Sequence, residues 1–311
     1  MIREAPSPQR GRVRAIWMLV KTTGNDFMDD NALRLAAALA YYALLSLAPL
    51  VVIVIAIAGF AVSEQAARGA IAHELGAVVG REGAEAVQTI VRSAQAPGAG
   101  IISTVVGIVV LLFGASGVFT ELQSALDSIW EVVPKPGRGI KGIVKDRLFS
   151  FAMVMGVAFL LLVSLVLSAG LSAVGHFLGH LLPGGEAVWQ VTNFLISLAV
   201  VAALFALTFK TVPDAKVAWR DAWVGGLVTA VLFSIGKFLI GLYLGKSSVS
   251  SAYGAAGSLV VLVIWVYYSA CILLVGAEFT QVYACRFGRR IEPTDNAERA
   301  PTARPISATS Q

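Results

Sequence analysis

Residues 257–284 form an uncharged, strongly apolar run interrupted by one charged side chain, Glu278. A run of that length belongs either in the core of a large protein or across a bilayer, and ~20 apolar residues suffice to cross the hydrocarbon as a helix. Comparable runs recur near residues 33–62, 101–119, 148–174, 188–209 and 222–244. With 57% hydrophobic and only 14% charged side chains in 311 residues, a soluble core would lack the polar surface to cover itself. The reading is an all-α polytopic membrane protein, a six-transmembrane-helix bundle.

The segments between these runs set the organisation. Residues 1–30 read as a cytoplasmic arm followed by an interfacial helix, because Ile16, Leu19, Val20 and Phe27 recur near helical spacing among charges. Residues 31–290 form the membrane domain. Its first run exceeds what a bilayer needs, so that helix tilts or kinks near Pro49. Within residues 63–99, Ile71, Leu75, Val78, Val87, Ile90 and Val91 make apolar stripes broken by Gly80 and Gly83, which reads as an external helical hairpin. Residues 291–311 are rich in Pro, Thr, Ala and Ser and read as a disordered cytoplasmic tail.

Charge fixes the expected orientation. Of the 24 Lys and Arg residues, nineteen lie in the N-terminal arm, the loops near residues 135–147 and 210–220, and the tail, whereas four lie in the alternate loops and Lys237 lies within a span. Short loops rich in Lys and Arg stay inside, so both termini are expected in the cytoplasm of a bacterial inner membrane. The net charge of +5 then expresses topology, and no nucleic-acid partner is implied.

Several motifs carry no chemistry on inspection. Gly241-Leu-Tyr-Leu-Gly245-Lys246-Ser247 has three residues between its glycines, where a phosphate loop needs four and a preceding strand. His176 and His180 share a helical face, but with only Glu186 nearby they fall short of a metal set; His73 stands apart. Cys271 and Cys285 lie on one helix about 21 Å apart along its axis and cannot bridge. No cofactor, metal or enzyme activity is expected. Small residues at four-residue spacing, Ala32, Ala36 and Ala40 among them, fit close helix packing within the bundle or at a homo-oligomer face.

The intramembrane polar residues are the functional candidates. An ionisable group inside a span is costly and tends to face a cavity or a partner. Lys237, with Ser234 on its face, Tyr253 and Glu278 are the candidate lining of a substrate cavity, and Glu121 and Asp127 a candidate acidic cluster at the cytoplasmic end. Lys237 could equally snorkel to the outer headgroups.

The strings Ala36-Ala-Ala-Leu-Ala-Tyr41-Tyr42-Ala-Leu-Leu-Ser46-Leu-Ala-Pro49, Val212-Pro213-Asp214-Ala215, and Ser250-Ser-Ala-Tyr253-Gly254 through Trp265-Val-Tyr267-Tyr268-Ser269 to Gly276-Ala277-Glu278-Phe279 resemble the YihY/BrkB family over roughly residues 15–290. The resemblance implies a six-helix inner-membrane protein with an envelope or transport-type role. Where the family pattern has Ala-Leu-Asn before an Ile-Trp pair, this chain has Ala125-Leu126-Asp127-Ser128-Ile129-Trp130. Some members have carried the name ribonuclease BN, but the scattered histidines give that chemistry no support. The function expected is ATP-independent transport or export of a solute or lipid; the rival is an envelope scaffold or assembly factor acting through residues 63–99. Membrane lipids are the expected partners.

Overall fold

In a computed structural model, the described residues are 8–59, 117–135, 185–246, 257–288 and 291–301. They form α1 (Pro8–Asp29), α2 (Ala32–Gly59), a helix α3 over residues 117–129, β1 (Val132–Pro134), α4 (Gly185–Thr211), β2 (Ala215–Lys216), α5 (Trp219–Lys246), α6 (Gly257–Phe287), β3 (Glu292–Pro293) and β4 (Ala297–Arg299). The chain is mostly helical. Segments of α4, α5 and α6 are each long and apolar enough to cross a membrane, at Phe194–Thr211, Trp219–Ile240 and Leu259–Phe287. The expected hairpin and third span fall outside the described residues, as does the start of the second span.

Local chemistry explains the element ends. Pro8 opens α1, a place where its missing N–H and fixed φ cost nothing. Asn31 separates α1 from α2 at φ 54°, a left-handed conformation that Asn tolerates better than most residues. Its carbonyl then accepts the N–H groups of Arg34 and Leu35, starting α2. Glu131 adopts the same φ between α3 and β1. A glutamate there is strained, and tertiary contacts hold it: its carbonyl accepts the Ala300 N–H at 2.8 Å.

Glycines set the helix crossings. A Cβ at Gly225 of α5 would lie 1.8 Å from Thr280 Oγ1 of α6, and one at Gly276 of α6 would lie 1.9 Å from Thr229 Oγ1 of α5. Each threonine returns its hydroxyl proton to the carbonyl one turn back, Thr229 to Gly225 at 2.7 Å and Thr280 to Gly276 at 2.6 Å. Their hydroxyls are thus satisfied inside the apolar contact. Gly226, on the neighbouring face, brings α5 against α4, where an added Cβ would meet Ala202 O at 2.6 Å and Ala206 N at 2.7 Å. On the other side of α6, α2 packs through a core that includes Ala32, Ala36, Ala270, Leu274 and Ala277, and α1 packs on α6 as well.

Two expectations need correction. The chain is not purely α, and the stretch from residue 291 is not disordered over residues 291–301. There β4 pairs antiparallel with β1, Val133 opposite Glu298, and β3 pairs antiparallel with β2, Ala215 opposite Pro293. Composition failed as a guide because the order is tertiary: Ile291 and Ala297 are buried, and the backbone partners come from two remote interhelical loops.

The glycine contacts yield a prediction. Gly225→Ala should destabilise the purified protein by about 1–3 kcal/mol, the usual cost of overpacking, and Thr280→Gly should recover part of the loss because the obstruction is that side chain. Gly226→Ala meets backbone and should have no comparable suppressor. Thermal melts in detergent decide; a Gly226→Ala protein melting with the wild type would refute the crossing.

Candidate functional site

The loops gather at the end of the bundle that carries the strands. There α3 delivers Leu126, Ile129 and Trp130 into the core, the Trp130 ring 6.0 Å from that of Phe209. Asp127, on the same turn, is buried and its Oδ1 accepts the backbone N–H of Asp214 at 2.7 Å. That bond fixes the loop between α4 and α5, whose Val212, Pro213 and Ala215 are buried. The Asp214 carbonyl in turn accepts the Thr294 N–H at 2.9 Å. Asp127, Asp214 and Thr294 therefore link three segments distant in sequence.

Lysines complete this collar. Lys135 Nζ donates to the Asp295 carbonyl at 2.8 Å and Lys216 Nζ to Asp295 Oδ1 at 2.9 Å. The Lys216 hydrogen bond and charge hold the Asp295 carboxyl below its ordinary range, and the same bond raises the Lys216 ammonium. The pair therefore adds stability between the ordinary carboxylate range and the alkaline range; the contribution fades as acid protonates Asp295 and as base neutralises Lys216. Both groups are exposed, so the contribution is small. Lys210, in the last turn of α4, donates to the Val217 carbonyl and stands 5.9 Å from the Trp219 ring centroid. A cation suits that helix terminus.

A second junction joins α1, α5 and α6. Asp221, in the first turn of α5, is almost fully buried against Gly288, where an added Cβ would lie 2.1 Å from Asp221 Oδ2. Arg220 Nη2 donates to the Phe287 carbonyl at 3.2 Å, and Arg286 Nη2 approaches Met18 Sδ of α1 at 3.6 Å.

The sequence-derived candidates separate in space. Glu278 is fully buried in α6. It lies two residues, about 200° of helix, from Gly276, and so points away from the α5 crossing. Lys237 is exposed on α5 beside Phe238 and Leu239, on the outward side that the sequence left open alongside the cavity. The reason is steric: the inward face of α5 is occupied by Gly225, Gly226, Thr229, Ala230, Gly236 and Ile240 in close contact, leaving no room for a lysine. Ser234 donates to the Ala230 carbonyl of its own helix at 2.8 Å. Tyr253 and the three histidines lie outside the described residues. Glu121 is half-buried, six residues and about 240° around α3 from Asp127, so the two do not share a face.

Asp26, Thr23 and Asp221 are buried polar residues that the sequence reading did not single out. Leu19, Thr23 and Asp26 follow four- and three-residue spacing, the signal of an inward stripe on α1. Asp26 and Glu278 thus stand buried on two helices that pack together.

Spans of this length, joined by an ordered collar of loops, define a polytopic helical membrane protein. The chain belongs to the BrkB family, described as virulence factor BrkB, whose family pattern matches residues 23–301. It is 29% identical over 287 residues to a UPF0761 membrane protein of Rhodospirillum centenum, covering 90% of this chain and 60% of that protein. A UPF0761 membrane protein of Pseudomonas paraeruginosa is 29% identical over 255 residues, 81% of this chain and 59% of the relative, and one from Verminephrobacter eiseniae 31% identical over 189 residues, 60% and 42%. The chain thus spans about 60% or less of the length of these relatives. No solved structure matches it.

The structure accounts for the departure at Asp127. Accepting the Asp214 N–H requires only a side-chain oxygen, which an asparagine also supplies. Asp127→Asn should therefore leave the melting temperature nearly unchanged, whereas Asp127→Ala strands a half-buried N–H and should cost about 1 kcal/mol. Equal losses in the two variants, measured by thermal unfolding in detergent, would show that the carboxylate charge rather than the acceptor matters.

Proposed function

We propose that this protein is a non-enzymatic, ATP-independent carrier of a solute or lipid in a bacterial inner membrane, with six spans, an external hairpin at residues 63–99 and both termini in the cytoplasm. The observation that carries the transport reading is the complete burial of Glu278 within a membrane-spanning helix. An acidic residue at that depth costs at least ~2.5 kcal/mol on insertion scales, and groups that costly mark ion or substrate paths. The carboxylate is the ionisable element of the route, and Asp26, buried on the helix α1 that packs against α6, is a candidate relay. The topology rests on the bias of Lys and Arg toward one set of loops.

Reconstituted into liposomes, the wild type should move one member of a panel of solutes and fluorescent phospholipids. Glu278→Gln should reduce that flux at least about tenfold while helicity and melting temperature hold or rise, since a neutral amide is cheaper to bury. Unchanged flux in Glu278→Gln would end the transport reading. If deleting residues 63–99 abolished the cellular phenotype while Glu278→Gln did not, an envelope scaffold would replace it.

Orientation is tested separately. In a background lacking Cys271 and Cys285, a cysteine at Arg138 should resist a membrane-impermeant thiol reagent in intact cells and one at Ala84 should react. Labelling at position 138 alone would invert the topology.

A further inference from the structure

At the junction of α1, α5 and α6, Arg286 is held by a neutral thioether, and Arg220 by a backbone carbonyl with a carboxylate at longer range. Arg286 meets the Met18 thioether at 3.6 Å, and Arg220 donates to the Phe287 carbonyl at 3.2 Å. Among the described residues, the carboxylate that approaches Arg220 is that of Asp221, whose Oδ1 lies 3.8 Å from Arg220 Nε while Asp221 itself is 1% exposed. A guanidinium has five N–H donors in a rigid fork, so one bond to a carbonyl leaves most of the fork open. Both side chains face outward.

Exposed aromatic side chains lie on the same three helices, Trp219 among them also facing Lys210. Trp17 of α1 is 67% exposed, and Phe287 of α6 with Trp219 and Trp223 of α5 are about half exposed. Along α6, Phe279, Tyr283 and Phe287 form a ladder with ring centroids 6.1 and 5.6 Å apart, ending at this junction. Tryptophans at the ends of spans mark the boundary between hydrocarbon and headgroups. Guanidiniums at that level, flanked by apolar rings, are placed to take a phosphate bidentately while the rings receive its acyl chains.

We propose that the junction of α1, α5 and α6 is a binding site for an anionic phospholipid, its phosphate held between Arg220 and Arg286 and its chains lying against Trp17, Trp223 and Phe287. The occupant is a lipid rather than a free anion because the apolar rim is as much a part of the site as the two cations. This inference needs only the membrane location and is independent of transport. It gives α1 a role that packing alone does not: the helix supplies both the sulfur that seats Arg286 and an apolar wall.

The test uses the full chain in nanodiscs of phosphatidylcholine with and without phosphatidylglycerol, followed by native mass spectrometry of the retained lipid. The wild type should retain phosphatidylglycerol preferentially. Each basic contact near a membrane surface is worth about fivefold in affinity, so Arg220→Gln with Arg286→Gln should weaken retention on the order of twentyfold. Arg34→Gln removes one charge from the first turns of α2 and should leave retention within about twofold. Equal loss in Arg34→Gln would mean diffuse attraction and overturn the site, as would full retention in the double variant. Displacement of the lipid by inorganic phosphate would reduce the site to a simple anion site and equally overturn the proposal. Should the double variant fail to fold in phosphatidylcholine alone, Arg220→Lys with Arg286→Lys carries the test: charge survives but the fork is lost, so retention should fall to an intermediate level, and wild-type retention would count against the proposal.

Discussion

Everything described in this protein hangs on the reciprocal crossing of α5 and α6. Lipid gives apolar helices no hydrophobic reason to associate, so association relies on close packing and on backbone approach at small residues. Gly225 and Gly276 supply the approach, and Thr229 and Thr280 fill the space above each other's glycine. The arrangement is symmetric: each helix carries a glycine and, four residues on, a threonine. Because the threonine hydroxyls bond within their own helices, neither is left as an unmet donor in the contact.

From that crossing the positions of the other elements follow. Gly226 is offset by one residue, about 100° of helix, and so turns its bare Cα to α4 while Gly225 faces α6. Two adjacent glycines thereby seat α5 between two neighbours. The loops at the ends of α3 and α4 arrive close to the end of α6, and the segment after α6 stitches them together through β1–β4 and β2–β3. These strands are too short to persist alone. They exist because the helices hold the partners in register, and they in turn hold Glu131 in its left-handed conformation and Asp214 under Asp127.

The contrast between what the sequence discloses and what it withholds follows from the range of the interactions. Helices α2, α4, α5 and α6 were legible to within a few residues, since hydrophobic length is a local property that the bilayer reads directly. The close packing of Ala32 and Ala36 was legible from their four-residue spacing, and the structure places both in the core. The strands were not, because Glu292–Pro293 and Ala297–Arg299 carry no strand pattern of their own and pair with residues 76 to 167 positions away. Glu278 was found because an acid in an apolar run is conspicuous, whereas Asp26 and Asp221 hid among the charges that flank helix ends. The side of α5 that Lys237 takes was left open by the sequence, because Ser234 on its face bonds its own helix and marks no interior.

The different fates of Lys237 and Glu278 follow from side-chain reach and depth. The exposed face of α5 runs Trp219, Trp223, Leu227, Val231, Ile235, Phe238 and Leu242, a stripe fit for lipid with tryptophans at one end. Lys237 lies 14 to 18 residues beyond those tryptophans, about 21–27 Å along the axis, against a hydrocarbon thickness of ~30 Å. Its four-carbon stem can span the remainder, so a lysine there reaches water without entering the bundle. Glu278 has no such stem, and it is buried along with Leu274, Ala277 and Val282 of its own helix. A cation on the outer face can leave the hydrocarbon unaided, whereas a carboxylate buried in the bundle cannot, and that difference in reach is what separates the lysine of α5 from the acid of α6.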